Sequence, residues 1–182
     1  MIIGVKRFPN SRVLGQRVNA FCEVRSSRIH GRGVFARRLV RSGTKLIEYR
    51  GEMIDKEESN RRGIELFEKS KETGSASVYI FDLNEEYDLD GNKEWNKARL
   101  INHSCEPNCE MVDEDGKLFL YATREIKKGE ELSFDYGYDI EHFLDHPCRC
   151  GKPGCVGYIV SRSQWDKLRK ILARTKKAKK KK

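Results

Sequence analysis

The most informative stretch of this chain is Arg99-Leu-Ile-Asn-His-Ser-Cys-Glu-Pro-Asn-Cys109. It brings an amide, an imidazole and a thiol close together at Asn102, His103 and Cys105. A lone histidine such as His103 is usually structural. Cys105 lies on a short loop that ends at Pro107, where a thiolate can reach a metal ion.

Six cysteines occur in the chain, and three of them form Cys148-x-Cys150-x4-Cys155 in a stretch rich in glycine and proline. Such a knuckle cannot bury a hydrophobic core, but tetrahedral coordination of one Zn²⁺ by thiolates would fold it. Cys105 is the first candidate for the fourth ligand and Cys109 is the second. Four protein ligands predict a structural zinc site. Disulfides are the alternative, although nothing else suggests export.

The pattern around these motifs predicts a mainly β fold of small curved sheets, because no regular alternation of strands and helices is visible. One charged helix is predicted over Ile54–Thr73, with Ile64, Leu66 and Phe67 as its apolar anchors. A second is predicted over Arg162–Arg174. The predicted strands are Ala20–Arg25, Gly33–Leu39, Lys45–Tyr49, Val78–Leu83, Lys117–Ala122 and Glu131–Tyr136.

The basic charge is concentrated at one end. The chain has 182 residues and a formal net charge of +9, and residues 162–182 hold 11 bases and one acid. Residues 51–161 hold 14 bases against 25 acids, so this region can attract a basic peptide. The lysine run at 176–182 is predicted to be disordered, and it can contact DNA nonspecifically or serve as a solubilising tail.

Length and composition exclude several classes of protein. A hydrophobic share of 37% supports a folded core and rules out wholesale disorder. No apolar run approaches the roughly 18–20 residues that a membrane helix needs. The first 20 residues lack the apolar core of a secretory signal, so an intracellular protein is expected, although their basic residues keep an organellar transit signal open.

Three further segments, read with the string and the knuckle, carry a resemblance to a known family. They are Ser27-Arg-Ile-His-Gly-Arg-Gly-Val-Phe-Ala36, Ile47-Glu-Tyr-Arg-Gly-Glu52 and Gly129-Glu-Glu-Leu-Ser-Phe-Asp-Tyr-Gly-Tyr138. In this order the chain resembles the SET domain of protein lysine methyltransferases, followed by a post-SET zinc knuckle. The resemblance covers most of the chain and implies the SET-type β-clip with a few short helices and a C-terminal helix.

The resemblance divides the chain into five parts. They are an N-terminal flank (1–20), the SET domain (21–139), the post-SET knuckle (140–160), a C-terminal helix (161–174) and a disordered lysine tail (175–182). No cysteine precedes residue 21, so the cysteine-rich pre-SET module of many relatives is expected to be absent. Residues 52–77, where the family inserts a variable helix, do not identify a substrate.

The resemblance implies S-adenosyl-L-methionine as the methyl donor and a lysine ε-amine as the acceptor. Free lysine has a pKa of about 10.4, so an apolar channel beside a sulfonium would have to lower it. Tyr136 matches the catalytic tyrosine, and Tyr79 matches a tyrosine beside the cofactor and the lysine. Phe134 occupies a position that holds Phe or Tyr in the family, and a phenyl there predicts di- or trimethylation. Tyr49 and Tyr138 match channel or rim residues, with half-buried strand aromatics as the alternative.

The implied cofactor contacts come from two motifs and two tyrosines. They are His30, Gly31, Arg32, Gly33, Tyr79, Asn102, His103 and Tyr136. The two glycines would let the backbone approach the ligand closely. The implied metal ligands are Cys105, Cys148, Cys150 and Cys155, and a bond from Cys105 to the knuckle would close the knuckle over the cofactor and the lysine. Removal of zinc is therefore expected to abolish methyl transfer.

The expected substrate is a lysine in a histone or histone-like tail. Two alternatives stay open: a zinc-knuckle protein that binds DNA or chromatin with an inactive pocket, and a methyltransferase of a non-chromatin protein such as a ribosomal protein. The cell nucleus, the bacterial cytoplasm and the nucleus of another cell reached by translocation are all compatible with the sequence.

Overall fold

The computed structural model describes residues 6–7, 20–73 and 79–179. Two α-helices, α1 (Lys56–Thr73) and α2 (Trp165–Lys179), accompany short 3₁₀ helices at Lys97–Leu100, Ile140–Asp145 and Arg162–Gln164. The strands are β1 (Lys6–Arg7), β2 (Cys22–Ser26), β3 (Arg32–Ala36), β4 (Lys45–Tyr49), β5 (Glu52–Asp55), β6 (Ile80–Asp82), β7 (Tyr87–Asp90), β8 (Asn102–His103), β9 (Cys109–Glu114), β10 (Lys117–Ala122) and β11 (Ser133–Phe134). They form four small sheets, which confirms the predicted mainly β fold.

The largest sheet has the strand order β1-β9-β10-β4. Its centre is the β9–β10 hairpin, whose turn residues Asp115 and Gly116 have φ of 53° and 80°. An Asp-Gly pair favours this turn because both positions need positive φ, and Gly116 N donates to Asp113 Oδ1 at 2.7 Å. Strand β10 alternates, so Leu118 and Leu120 are fully buried and contribute to the main core.

The second sheet, of order β5-β7-β6, carries α1 on one face through ion pairs. Arg62 of α1 contacts Asp90 at 2.6 Å and Glu52 at 2.9 Å, and Lys56 contacts the buried Asp88 at 2.5 Å. The helix begins at Lys56 and not at Ile54, because Ile54 is a buried residue of β5. Ile64 is 60% exposed, so its prediction as an apolar anchor was wrong.

The C-terminal helix α2 packs against residues between 140 and 160. Leu168 is fully buried and packs with Ile140, Phe143 and Val160, while Trp165 Nε1 donates to Val160 O at 3.1 Å. The helix continues to Lys179, five residues past its predicted end, because lysine and alanine favour the helical conformation once a docked segment has started it. Residues 180–182 of the predicted disordered tail lie outside the described residues.

Several strands were not predicted. Strands β5, β7 and β8 are short and polar, and β1 pairs with β9 in parallel from a distant part of the sequence. Strands β4 and β10 match their predicted limits. Within the described residues, no helix combines the length and apolar character needed to cross a membrane.

Candidate active site

The site is built where two distant motifs meet as neighbouring strands. Strands β8 and β11 pair in parallel, with Ser133 opposite Asn102 and Phe134 opposite His103. Ser104 N donates to Phe134 O at 3.2 Å and extends this pairing. Tyr136, two residues beyond Phe134, is thereby placed beside the His103 ring, with the ring centroids 5.4 Å apart.

The loop between β2 and β3 is fixed by a carboxylate and an amide. Glu131 accepts from Ser27 Oγ at 2.8 Å and from Asn102 Nδ2 at 2.7 Å. Asn102 Nδ2 also lies 3.1 Å from Arg32 O and 3.4 Å from His30 O. The side chain of Asn102 therefore holds the loop in place while the residue lines a cavity. Glu131 and Ser27 are 104 residues apart in the sequence, and the sequence pattern contains no signal of their contact.

Glycine is required at two nearby positions for different structural reasons, at Gly31 in this loop and at Gly33 in strand β3. Gly31 has φ of +45°, a left-handed conformation that glycine adopts without strain, and a Cβ there would meet no atom within 4 Å. A Cβ at Gly33 would lie 2.2 Å from Glu131 Oε1 and 2.8 Å from Glu131 Cδ. Gly33 therefore makes room for the Glu131 carboxylate, and it is not among the cavity-lining residues.

Three tyrosines and a phenylalanine form a connected cluster. Tyr136 donates its hydroxyl to Ile101 O at 2.8 Å, and Tyr49 donates to the backbone oxygen of Tyr79 at 2.9 Å. Burial, and next the nearby Tyr79, raise the pKa of Tyr136 above its ordinary value, so its hydroxyl is protonated at neutral pH. Phe134 is buried between Phe81 and Tyr136, with ring centroids 5.9 Å and 4.9 Å away.

His103 connects the tyrosine cluster to the cysteines. It is 4% exposed, and its Nδ1 accepts from Tyr136 N at 3.3 Å. A neutral imidazole that accepts at Nδ1 carries its proton on Nε2, which lies 3.7 Å from Cys105 Sγ. His103 is thus positioned to donate a hydrogen bond to the Cys105 sulfur.

The four cysteines predicted as metal ligands lie together. The Sγ atoms of Cys105, Cys148, Cys150 and Cys155 are all within 4.8 Å of one another, and Cys105 Sγ lies 3.7 Å from those of both Cys148 and Cys155. Tetrahedral zinc thiolates with Zn–S of about 2.3 Å have sulfurs about 3.8 Å apart, so this donor set fits a zinc ion.

The remaining cysteines lie elsewhere. Cys109, the second candidate for the fourth ligand, is buried, and its thiol lies 3.4 Å from Asn108 Oδ1. Cys22 lies in strand β2, and burial raises the pKa of its thiol to about 11. All six cysteines are in the described part of the chain, and none of them forms a disulfide there.

The loop, the two motifs and the knuckle enclose a cavity of about 240 Å³. Of the predicted site residues it brings together His30, Gly31, Arg32, Tyr79, Asn102, His103, Tyr136 and Cys148. It does not include Gly33, Phe134, Tyr49 or Tyr138 in its lining. Phe134 packs directly behind Tyr136.

The lining also contains Arg99, which the sequence did not single out. The Arg99 guanidinium lies over the Tyr79 ring, 5.6 Å from its centroid. The Nε atom of Arg99 is buried and has no hydrogen-bond partner among the described residues. A buried donor without a protein partner is costly, so an acceptor on a bound ligand would stabilise this position.

The fold and the site define a β-rich protein with a tyrosine-bearing cavity beside a four-cysteine knuckle. The SET domain family matches residues 31–137, which is more than half of the chain. The chain therefore belongs to the SET domain family, as its motifs predicted.

Several curated relatives are similar to most of this chain. Histone-lysine N-methyltransferase trr of Drosophila melanogaster is 42% identical over 136 residues, which are 71% of this chain and 5% of that protein. Histone-lysine N-methyltransferase 2D of Homo sapiens is 40% identical over 136 residues, 71% of this chain and 2% of that protein.

A fungal relative shows the same relationship. The H3 lysine-4 specific histone-lysine N-methyltransferase of Schizosaccharomyces pombe is 39% identical over 138 residues, 73% of this chain and 14% of that protein. The chain thus spans a small part of each of these relatives, between 2% and 14% of their length.

Proposed function

We propose that this chain is an S-adenosylmethionine-dependent protein-lysine N-methyltransferase. The observation that carries the proposal is the convergence of the loop at His30–Arg32, the pair Asn102 and His103, and Tyr136 on one cavity. These residues come from three separate segments of the sequence. A core packed only for stability has no need to gather them around an open space.

The cavity suits a polar ligand with acceptor groups. Arg99 offers a buried Nε donor without a protein partner among the described residues, and Gly31 of the loop is part of the lining. The residues that would hold the cofactor are His30, Arg32, Tyr79, Asn102 and His103, with Arg99 as an addition. When bound, the cofactor supplies a methyl group on a positively charged sulfur.

The residues of the chain orient the substrate amine and exclude water. Tyr136 keeps its proton, so it acts as a hydrogen-bonding and positioning group and not as a general base. The hydroxyl bond to Ile101 O and the contact with His103 fix its ring. Aromatic and apolar surroundings disfavour the ammonium form of the lysine, which is needed as a neutral amine.

The four cysteines would hold one structural Zn²⁺. A zinc ion would supply the coordination that a knuckle without its own core lacks. Cys148 is both a member of the cluster and part of the cavity wall, and His103 lies against Cys105. Gly154 N donates to Glu106 Oε1 at 2.6 Å, which ties the knuckle to the loop of Cys105. Loss of the metal would therefore open the cavity.

The product is proposed to be di- or trimethyllysine. Phe134 is 3% exposed and packs between Phe81 and Tyr136, so its ring backs the tyrosine that orients the amine. A phenol at this position would add a hydroxyl that holds water and crowds the amine. A phenyl leaves room for added methyl groups.

The substrate is proposed to be a lysine in a histone or histone-like tail. The relatives are named as histone-lysine methyltransferases, and one of them as specific for lysine 4 of histone H3. Residues 51–161 hold 25 acids against 14 bases, which gives a basic tail an electrostatic attraction. The proposed location is therefore the compartment in which histone tails are accessible.

Transfer of a labelled methyl group tests this function. The chain is incubated with labelled S-adenosylmethionine in three parallel reactions. They contain core histones, ribosomal proteins and unmodified bovine serum albumin, respectively. We expect label on histone H3 and a loss of roughly 100-fold or more with Tyr136→Phe, because the positioning hydroxyl is gone. Label on none of the proteins, with cofactor bound, would contradict the proposal. Preferred label on ribosomal proteins would contradict the histone assignment.

A further inference from the structure

The outward face of α2 is strongly basic and is not used by the cavity. Its inner side is occupied, since Leu168, Ile171 and Leu172 pack against the core. The exposed bases of the described helix are Lys167, Arg169, Lys170 and Arg174. After Asp166 the sequence continues to its end with ten bases and no acid.

The bases of this face are mostly free to meet an external anion. Lys170 and Arg174, four residues apart, lie on adjacent turns of one side of the helix. Neither has an ion-pair partner within the described part of the chain. Arg169 lies 3.3 Å from the exposed Asp166, a surface pair that is weak in water.

Two guanidinium groups are held at the start of the helix. Arg162 and Arg169 lie over the Trp165 ring, 5.3 Å and 5.6 Å from its centroid. Trp165 itself is fixed by its bond to Val160 O. These contacts restrict the side chains before any partner binds, so less entropy is lost when an anion is bound.

We propose that the outer face of α2 binds the phosphate backbone of duplex DNA, with Lys170 and Arg174 at its centre. The contact goes beyond the proposed methyl transfer and does not depend on it, because none of these residues lines the cavity. Recognition is of phosphate and therefore independent of base sequence. It would hold the catalytic cavity close to DNA-bound proteins.

The chemistry of the face favours duplex DNA over two other polyanions. Single-stranded RNA is usually held by aromatic side chains on which bases stack, and among the described residues of α2 the only aromatic ring, Trp165, is half-buried under two arginines. A bilayer surface needs a free apolar helix face, and the apolar face of α2 is already packed on the core.

Fluorescence anisotropy with a labelled duplex of about three helical turns measures the contact, at several salt concentrations and with two unrelated sequences. Four to six phosphate contacts give a slope of log K against log salt of about −4 to −5. The variant Lys170→Glu/Arg174→Glu removes two contacts, so we expect a slope smaller by about 2 and binding roughly tenfold weaker or more near 0.1 M salt.

The control is Lys127→Glu/Lys128→Glu, which makes the same change of charge in an exposed turn. It is expected to bind duplex DNA within about threefold of the unaltered chain, since its lysines lie off the face. Thermal unfolding by circular dichroism verifies that both variants fold. A third variant, a shortened chain that ends at Thr175, is expected to keep measurable binding to duplex DNA, because Lys170 and Arg174 remain.

Four results would overturn the proposal. The first is an equal loss of affinity for duplex DNA in the two charge variants, and the second is no loss in Lys170→Glu/Arg174→Glu while the shortened chain loses all binding. The third is tighter binding to single-stranded RNA than to duplex DNA. The fourth is tighter binding to vesicles of phosphatidylcholine and phosphatidylserine than to duplex DNA. The first would assign binding to net charge and the second to the lysine run alone. The last two would assign the face to another class of partner.

Discussion

Substitution of Gly33 by alanine probes the hydrogen bonds that hold the loop between β2 and β3. The added Cβ would lie 2.2 Å from Glu131 Oε1, well inside a normal contact. Relief of this overlap requires the carboxylate to move by about 1 Å, which is incompatible with its present hydrogen bonds. The atoms most directly affected are Ser27 Oγ and Asn102 Nδ2, which donate to Glu131 at 2.8 Å and 2.7 Å.

The size of the effect follows from the bonds that break. The hydroxyl of Ser27 has one proton and Asn102 uses one N–H here, so two hydrogen bonds to a charged group are at stake. Each contributes about 1.5 kcal/mol, and Gly33→Ala should therefore lower the free energy of unfolding by about 3 kcal/mol. Because the same loop lines the cavity at His30–Arg32, cofactor affinity should fall as well.

A double-mutant cycle with Glu131→Ala separates this explanation from a direct effect on the ligand. Glu131→Ala removes the same two bonds and also the overlap. The double variant should then be no less stable than Glu131→Ala alone, so the coupling between the two sites is about 3 kcal/mol. Urea unfolding measures the stabilities, and calorimetric titration with S-adenosylmethionine measures cofactor affinity.

Gly31→Ala, two residues before Gly33, is the matched control. Position 31 has φ of +45° and no atom within 4 Å of a Cβ, so alanine there introduces strain of about 1–2 kcal/mol without a clash. Its effect should add to that of Glu131→Ala. Additive losses for Gly33→Ala and Glu131→Ala, within about 0.5 kcal/mol, would refute the explanation of Gly33 through the carboxylate.

Four further outcomes are expected. A sample stripped of metal should lose methyl transfer, because Cys148 is part of the cavity wall. Activity in a sample shown to be metal-free by mass spectrometry would disprove the coupling of metal binding to methyl transfer. Phe134→Tyr should shift the products towards monomethyllysine in peptide mass spectra, and an unchanged distribution would count against the role of Phe134. The rate of methyl transfer should rise with pH up to about 9.5 and should not fall at alkaline pH, because burial raises the pKa of Tyr136 and its hydroxyl stays protonated. A decline of the rate above about pH 8 would contradict this role of Tyr136. Hydrogen bonds from Arg62 and then Lys93 lower the pKa of Glu52 to about 2, so the stability that this pairing contributes above pH 4.5 is lost as the pH falls towards 2. Glu52→Gln should therefore weaken the dependence of the melting temperature on pH in that window. An unchanged pH dependence would refute the pairing.

The sequence predicted those parts of the candidate site whose residues lie close together in the chain. Asn102 and His103 are adjacent, and the knuckle cysteines lie within eight residues of each other, so their chemistry is visible without a structure. Cys105 as the first candidate for the fourth ligand lies in the cluster that the structure shows. Strand β10 was predicted to its limits because its alternation of buried and exposed residues is regular.

The missed residues depend on contacts between distant segments. Glu131 and Arg99 look like ordinary surface charges in sequence, and their roles follow only from Asn102 and from the cavity. The prediction of Ile64 as an anchor was wrong because α1 is held on its sheet by ion pairs, such as that of Arg62 with Asp90. Short polar strands such as β8 are defined by their pairing and leave no periodicity.

Three distant segments of the chain are expected to form one cofactor cavity. Two-dimensional NMR of the ¹⁵N-labelled chain during titration with S-adenosylmethionine tests it directly. We predict saturable shifts of the backbone amides of Gly31, Asn102, His103 and Tyr136, with Lys170 on the outer face of α2 unchanged. No saturable shifts, or shifts confined to residues outside these segments, would contradict the claim.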